Sequence, residues 1–182
     1  PTRASDVVDE LAHAPGGDAL LVVDGGACAV GIESTIVDLS GERPVVRRPG
    51  HIGERALAEV LGEAPTPATG EAGARVPGSL ARHYAPRTPA HGVAEGAGDR
   101  APSDVAVLAR RSPPPGHAGP WATLPDDPTA AAVVLYASLR ALDGTGAREV
   151  WVEAVPGVAA WRAVADRLAR ATHPAQRPEE GP

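Results

Sequence analysis

The 182-residue sequence lacks methionine, lysine and phenylalanine, and it contains a single cysteine, Cys28. Because it has no initiator methionine, we expect the chain to be part of a longer polypeptide. Because all 17 basic residues are arginine, chemistry that requires a lysine ammonium must come from residues outside this chain. One cysteine excludes an intrachain disulfide and is typical of a reducing compartment. The sequence also has no run of about 18 apolar residues and no signal peptide, so we expect a soluble, cytoplasmic protein.

Aromatic residues are scarce, at 3% of the chain, although hydrophobic residues make up 43%. The core must therefore be built from alanine, valine and leucine, whose small side chains favour close packing of layers over a large internal cavity. The 17 basic and 23 acidic residues give a net charge of −6. This balance argues against a broad nucleic-acid-binding face and leaves room only for a local basic site.

The first 62 residues alternate between helical and strand-like patterns. We predict a helix within 1–14, a buried strand at 19–23, a hairpin that pairs 35–39 with 44–48, and a helix at 54–61. Thr2 or Ser5 can cap the first helix, and Gly62 ends the last one. In that last helix, Val60 is expected on the buried side.

Residues 63–103 are rich in glycine, proline and alanine and are typical of a linker. Within them, residues 77–89 form an island in which arginine, histidine and tyrosine are bracketed by prolines. A plain spacer does not need such residues side by side. The island therefore indicates an ordered segment inside the linker.

Residues 104–172 form a second predicted module. We predict a strand at 104–108, a loop at 112–128, a helix at 129–142, a strand at 149–155 and a helix at 159–171. This β-α-β-α order predicts a parallel sheet with right-handed crossovers. Asp166-Arg167 is most simply interpreted as a solvated charge pair, and residues 173–182 as a disordered tail.

Polar groups crowd the two ends of the predicted hairpin. Glu33, Ser34 and Thr35 stand where its first strand begins, and Arg48 ends its second strand before Pro49-Gly50. These residues are either ordinary exposed strand ends or two walls of an anion site. In the second case, backbone N–H groups after Gly31 and the Ser34 hydroxyl would bind a carboxylate or phosphate, and Arg48 would make a bidentate contact.

Other familiar sites are not indicated. The six histidines are scattered without the paired spacing of zinc ligands. Cys28 has no CxxC partner and is interpreted as a small core residue. Neither GxxxxGK[ST] nor GxGxxG is present. From the residues alone, the sequence predicts a soluble two-module α/β protein with a candidate anion site, and it does not name a reaction.

Taken in order, the motifs resemble those of the threonylcarbamoyl-AMP synthases. They are Pro1-Thr2, Asp24-Gly25-Gly26, VGIESTIVD at 30–38, Arg48-Pro49-Gly50 and HYAPRTP at 83–89. The resemblance implies the C-terminal part of a YrdC-type twisted α/β sheet domain at 1–62 and a linker with the HYAPRTP lid motif at 63–103. It further implies a small Rossmann-like α/β domain at 104–172 and a tail at 173–182.

The resemblance implies a nucleotidyltransferase. L-threonine, bicarbonate and ATP, with magnesium, would yield threonylcarbamoyl-AMP and pyrophosphate. Downstream transfer proteins would then use the product for N6-threonylcarbamoyladenosine at position 37 of tRNA. The resemblance implies no membrane association and only a weak contact with tRNA itself. Because such a reaction depends on positioning and charge neutralisation, no catalytic side chain and no protein metal site are expected.

Carried over residue by residue, the resemblance gives each polar candidate a role. Ser34 would contact L-threonine, with Thr35 beside it. Arg48 would hold the ATP phosphates, and Tyr84 would close over the nucleotide as part of a lid that excludes water. Thr2 would touch the nucleotide or serve only as a helix cap.

The family's triphosphate-binding lysine and arginine, and its SxN segment, lie upstream of the position that matches Pro1. We therefore expect that this chain alone does not make threonylcarbamoyl-AMP. One alternative is a non-catalytic truncated module with an association or regulatory role. Another is a different YrdC-containing protein, either a carbamoyltransferase maturation factor or an RNA-binding relative. The HYAPRTP island and the second domain argue against a different YrdC-containing protein of either kind.

Overall fold

The computed structural model describes residues 1–12, 14–68, 76–78, 80 and 83–174. The predicted tail lies outside these residues from position 175 onwards. The fold is α/β, as predicted, and contains two sheets.

The first sheet has three short strands in the order β1-β2-β3. Along the chain its region contains α1 (Ala4–Leu11), β1 (Ile36–Asp38), β2 (Val45–Arg48), α2 (Glu54–Leu61) and β3 (Thr66–Pro67). Strands β1 and β2 are antiparallel, with Val37 opposite Val46, so the predicted hairpin is confirmed. Strand β3 was not predicted. It pairs with β2 in parallel through two residues only.

Three details of this region differ from the prediction. Residues 19–23 form no strand, because no described strand pairs with them, and Leu21 is 89% exposed. Val60 lies on the solvent side of α2, at 85% exposure. The residue before α1 is Arg3, and neither Thr2 nor Ser5 caps the helix. The Asp6 carboxylate instead reaches back to accept the backbone N–H groups of Thr2 and Arg3.

The second sheet is parallel throughout and has the strand order β4-β7-β5-β6. Its elements are β4 (Ala90–Val93), β5 (Val105–Ala109), β6 (Trp121–Thr123), α3 (Pro128–Asp143), β7 (Glu149–Glu153) and α4 (Arg162–Ala171). The predicted strand-helix-strand-helix series is therefore present. Helix α3 begins with Pro128 after Asp127, whose side chain accepts the backbone N–H of Ala130.

Two edge strands of this sheet were missed. Strand β4 lies in the segment interpreted as linker, and β6 lies in the segment interpreted as a loop. Each pairs with only one neighbour, so neither needs the continuous apolar run that marks a central parallel strand. Strand β5, which lies between two neighbours, is buried along its whole length and was predicted.

The apolar core lies between the second sheet and helices α3 and α4. It includes Leu108 from β5, Leu135 and Leu139 from α3, and Val164 and Leu168 from α4. Within the described part of the chain, no helix is both long and apolar enough to span a membrane.

Candidate functional site

The loop at residues 31–35 precedes β1 and packs closely against neighbouring elements. Glycine residues permit this close packing at two positions. Gly31 has φ +78°, and a Cβ atom there would lie 2.4 Å from the carbonyl oxygen of Ala132 in α3. A Cβ atom at Gly50 would lie 2.4 Å from the backbone nitrogen of Thr35. The loop is therefore held between helix α3 and the turn that follows β2.

Arg48 and Ser34, the two residues predicted to flank an anion site, are in direct contact. The Arg48 guanidinium donates from Nε to the Ser34 carbonyl at 3.0 Å and from Nη2 to the Ser34 hydroxyl at 3.1 Å. Its Nη1 donates to the carbonyl of Pro77 at 2.9 Å. Although it is charged, Arg48 is only 7% exposed. Three of its five N–H groups are thus engaged within the described structure, and two have no described partner.

Thr35 lies beside Ser34, but its hydroxyl is already engaged. It donates to the carbonyl of Ile52 at 2.8 Å and accepts that residue's N–H at 3.1 Å. These two bonds tie the loop to the turn before α2. The geometry therefore gives Thr35 a structural role in shaping the loop.

Tyr84 belongs to the HYAPRTP segment and lies near Gly78, as Arg48 does. It has φ +61°, a conformation that non-glycine residues rarely adopt. A Cβ atom at Gly78 would lie 2.3 Å from the Tyr84 hydroxyl and 3.6 Å from Cδ of Arg48. Gly78 therefore lies between Tyr84 and the arginine, and Ser79, Ala81 and Arg82 of the same predicted island lie outside the described residues.

Four side chains, Glu33, Tyr84, Tyr136 and Arg167, form what we call the Glu33 cluster. Tyr136 donates to both Glu33 carboxylate oxygens, at 3.2 and 3.0 Å, and Arg167 Nε donates to one at 2.9 Å. The Tyr84 ring lies 5.2 Å from that of Tyr136 and 5.7 Å from the guanidinium of Arg167.

The ionisable groups of the Glu33 cluster shift one another's pKa values. Burial opposes the charge on Glu33, but the hydrogen bond and charge of Arg167 outweigh it and hold the pKa of this carboxyl below its ordinary value. Burial raises the pKa of Tyr84, and the Glu33 carboxylate raises it further. The pKa of Tyr136 is raised for the same two reasons. At neutral pH the cluster therefore contains one carboxylate, one guanidinium and two neutral phenols.

The Glu33 cluster was not predicted, and the interpretation of Asp166-Arg167 as a solvated charge pair was wrong for Arg167. Arg167 is 0% exposed, and only part of its guanidinium is paired with Asp166, at 2.7 Å. A signal was present, because position 167 lies three residues after Val164 and so falls on the apolar face of α4. An arginine on such a face indicates a buried partner.

Thr2 does not join the other predicted residues. Its backbone N–H and hydroxyl both donate to Asp6, at 2.7 and 3.2 Å, and its carbonyl accepts the N–H of Cys28. These bonds fix the start of α1 and the approach to the 31–35 loop. Cys28, predicted to lie in the core, is exposed.

Residues 52–173 match the family model described as "Threonylcarbamoyl-AMP synthase, C-terminal domain". The chain belongs to the threonylcarbamoyl-AMP synthase family. A relative of that name from Pyrococcus abyssi is 30% identical over an alignment of 187 residues. The alignment covers 94% of this chain and 54% of the relative. Another from Bacillus subtilis is 32% identical over 107 residues, covering 55% of this chain and 28% of the relative.

Solved structures of a threonylcarbamoyl-AMP synthase relative share the fold. The crystal structure of P. abyssi Sua5 complexed with L-threonine has a TM-score of 0.75 and 27% identity, covering 94% of this chain and 54% of that one. A histidine-and-tyrosine double alanine variant of P. abyssi Sua5 has a TM-score of 0.65 and 26% identity, covering 82% of this chain and 47% of that one. The chain thus spans about half the length of these relatives.

In this threonylcarbamoyl-AMP synthase family member, a cleft of about 1280 Å³ opens beside the Glu33 cluster. Glu33, Tyr84 and Tyr136 line it, together with α1 and the first residues of the chain. Ser34, Thr35, Arg48 and Thr2 are not among its lining residues. The predicted site residues therefore divide, because Tyr84 lines the cleft and the Ser34–Arg48 pair does not.

Proposed function

We propose that the chain forms part of an L-threonylcarbamoyladenylate synthase, a cytoplasmic enzyme. It would help convert L-threonine, bicarbonate and ATP into threonylcarbamoyl-AMP and pyrophosphate, which downstream transfer proteins use to modify tRNA. The observation that carries this proposal is the contact between Ser34 and Arg48 beneath Pro77, in a chain of this family. Its support includes the likeness to a Sua5 structure that was crystallised with L-threonine.

The chemistry of the pair suits its proposed roles. Ser34 offers a hydroxyl to the amino-acid substrate. Arg48 retains two N–H groups that can bind phosphate or carboxylate oxygens, and its burial strengthens such a contact. Tyr84 lines the cleft beside the Glu33 cluster, and a tyrosine at that place would help to exclude water from a reactive adenylate.

Magnesium enters this proposal only as part of the magnesium–ATP substrate. Among the described residues, no three histidine, cysteine, aspartate or glutamate side chains lie close enough to hold a metal ion. The donors at Ser34 and Arg48 suit anions, because a guanidinium repels a cation. We therefore assign no metal ligand to this chain.

Calorimetric titration of L-threonine and of ATP tests the proposal, with Ser34→Ala as the variant. We expect its dissociation constant for threonine to rise about tenfold, the usual effect of losing one hydrogen bond to a charged group, while that for ATP changes less than twofold. Ser103→Ala is the matched control. It alters an exposed serine two residues before β5 and should change neither constant.

Equal loss of threonine and ATP binding in Ser34→Ala would mean that Ser34 has been assigned to the wrong ligand. If the unmodified chain binds neither compound, the proposal fails for this chain. A non-catalytic module with an association role would then be favoured.

A further inference from the structure

The 31–35 loop has no strand pairing of its own, because β1 begins only at Ile36. Its conformation must therefore be set by contacts with neighbouring elements. Gly31 packs against the backbone of α3, and Ile32 packs against the core of the second sheet. Glu33 is held by Tyr136 from α3 and by Arg167 from α4. Three consecutive residues before Ser34 are thus fixed by the C-terminal helices.

Arg167 is placed where only a partner inside the protein can satisfy it. It is 0% exposed, and its two described ion pairs are with Glu33 at 2.9 Å and Asp166 at 2.7 Å. Burying an arginine in this way is costly unless the carboxylates keep their positions. The pair with Glu33 therefore restrains the backbone of residue 33, which is bonded directly to Ser34.

Tyr136 and Arg167 also hold Tyr84. Tyr84 lies against the Tyr136 ring and near the Arg167 guanidinium, at the distances expected for aromatic and cation–π contacts. Arg170, one turn after Asp166, donates to the carbonyl of Leu80 at 2.7 Å and adds a second link between α4 and this segment.

We propose that Tyr136 and Arg167 are positioning residues that act through Glu33. They hold the 31–35 loop, and with it the Ser34 hydroxyl, in the conformation that binds the amino-acid substrate. The inference rests on the proposed function, because it takes Ser34 as the threonine contact. In this proposal, helices α3 and α4 have a defined part in the reaction, because they hold the 31–35 loop and Tyr84 in place together.

Tyr136→Phe is the test variant, because it removes the two contacts with Glu33 and keeps the ring beside Tyr84. We expect the dissociation constant for L-threonine to rise about tenfold and that for ATP to stay within twofold, measured by calorimetry. Thr145→Val is the matched control. It removes a hydroxyl that donates to the Leu142 carbonyl just after the end of helix α3, and it should leave threonine binding unchanged.

A double-mutant cycle separates positioning from general loss of packing. Glu33→Gln should weaken threonine binding by itself, and adding Tyr136→Phe should weaken it less than twofold further, because the hydroxyl acts only through the carboxylate. If the double variant weakened threonine binding by the product of the two single-variant factors, the proposal would be overturned. A Tyr136→Phe variant with unchanged threonine affinity would overturn it as well.

Amide hydrogen exchange gives a readout that does not depend on threonine binding. In Tyr136→Phe, the Ile52 amide, which donates to the Thr35 hydroxyl of the loop, should exchange about tenfold faster, while the amides of β5 and β7 keep their protection. Unchanged protection of the Ile52 amide would overturn the positioning role. If the unmodified chain binds no threonine, the proposed function fails, and the exchange data still decide whether Tyr136 holds the loop.

Discussion

At the scale of single residues, Asp38 has the most strongly altered carboxyl group. Bonds from the Ser40 hydroxyl, at 2.6 Å, from the Ser40 backbone N–H and from two donors of Arg47 together lower its pKa to about 2. A depressed folded-state pKa contributes stability that is fully present above the unfolded value, near 4, and is lost as the pH falls through about 2.

The Asp38→Asn variant should therefore be less stable than the unmodified chain at pH 5 to 7. This difference should shrink towards zero as the pH falls from about 4 to 2. Urea denaturation across this range measures it. Ser40→Ala, which removes the nearest donor, should shift the loss to higher pH. A stability difference that stays constant down to pH 2 would contradict the prediction.

The contact between Ser34 and Arg48 could be predicted from the sequence, whereas the contact between Glu33 and Arg167 could not. Ser34 and Arg48 flank a hairpin, so strand pairing alone brings them together, in line with the pairing of Ile36 opposite Arg48. Glu33 and Arg167 are 134 positions apart. Their contact depends on how α4 packs against the loop, which no local pattern encodes.

At the scale of elements, the Gly31 contact with α3 predicts a specific loss. In Gly31→Ala, the methyl group would overlap the backbone of Ala132 and Val133, at 2.4 Å, and the backbone would also be strained at φ +78°. Gly116→Ala is the matched control, because Gly116 has φ +84° with no atom within 4 Å of the new methyl group.

The control should lose about 1–2 kcal/mol through backbone strain alone. Gly31→Ala should lose about 1–3 kcal/mol more, because the loop must move away from α3, and its threonine affinity should fall with it. Chemical denaturation and calorimetry measure the two effects. Equal destabilisation of both variants would show that the close approach to α3 has no energetic consequence.

Helices were more predictable than strands for a physical reason. Helix α2 has the predicted bounds, and α3 begins one residue before and ends one residue after them, because glycine and proline stops and apolar spacing are local signals. Strands β3, β4 and β6 have two to four residues and lie at sheet edges. Whether such a segment becomes a strand depends on a neighbour's free backbone groups. The apolar run at 19–23 shows the converse, because it has strand-like residues and no described partner.

At the scale of the whole molecule, the apolar core is distributed unevenly. Among the described residues before Val105, the only buried apolar side chains are Val46 and two prolines, Pro44 and Pro65. Helices α1 and α2 have eight residues each and bury none of them. Isolated helices of this length are marginal in water, so the first region depends on contacts with α3 and α4 for its structure. Those contacts include the Glu33 cluster and the ion pair of Arg140 with Glu10.

This asymmetry predicts different behaviour for the two regions when each is produced alone. A polypeptide of residues 83–174 should fold with a cooperative thermal transition, because it contains the whole parallel sheet and both core helices. A polypeptide of residues 1–68 should show little helix or strand signal by far-ultraviolet circular dichroism. Mixing the two should restore signal only while Arg167 can pair with Glu33, so Arg167→Met in the larger piece should abolish the gain. A cooperative transition in the isolated 1–68 piece would mean that its hairpin has a sufficient core of its own, and that the C-terminal helices support only its loop.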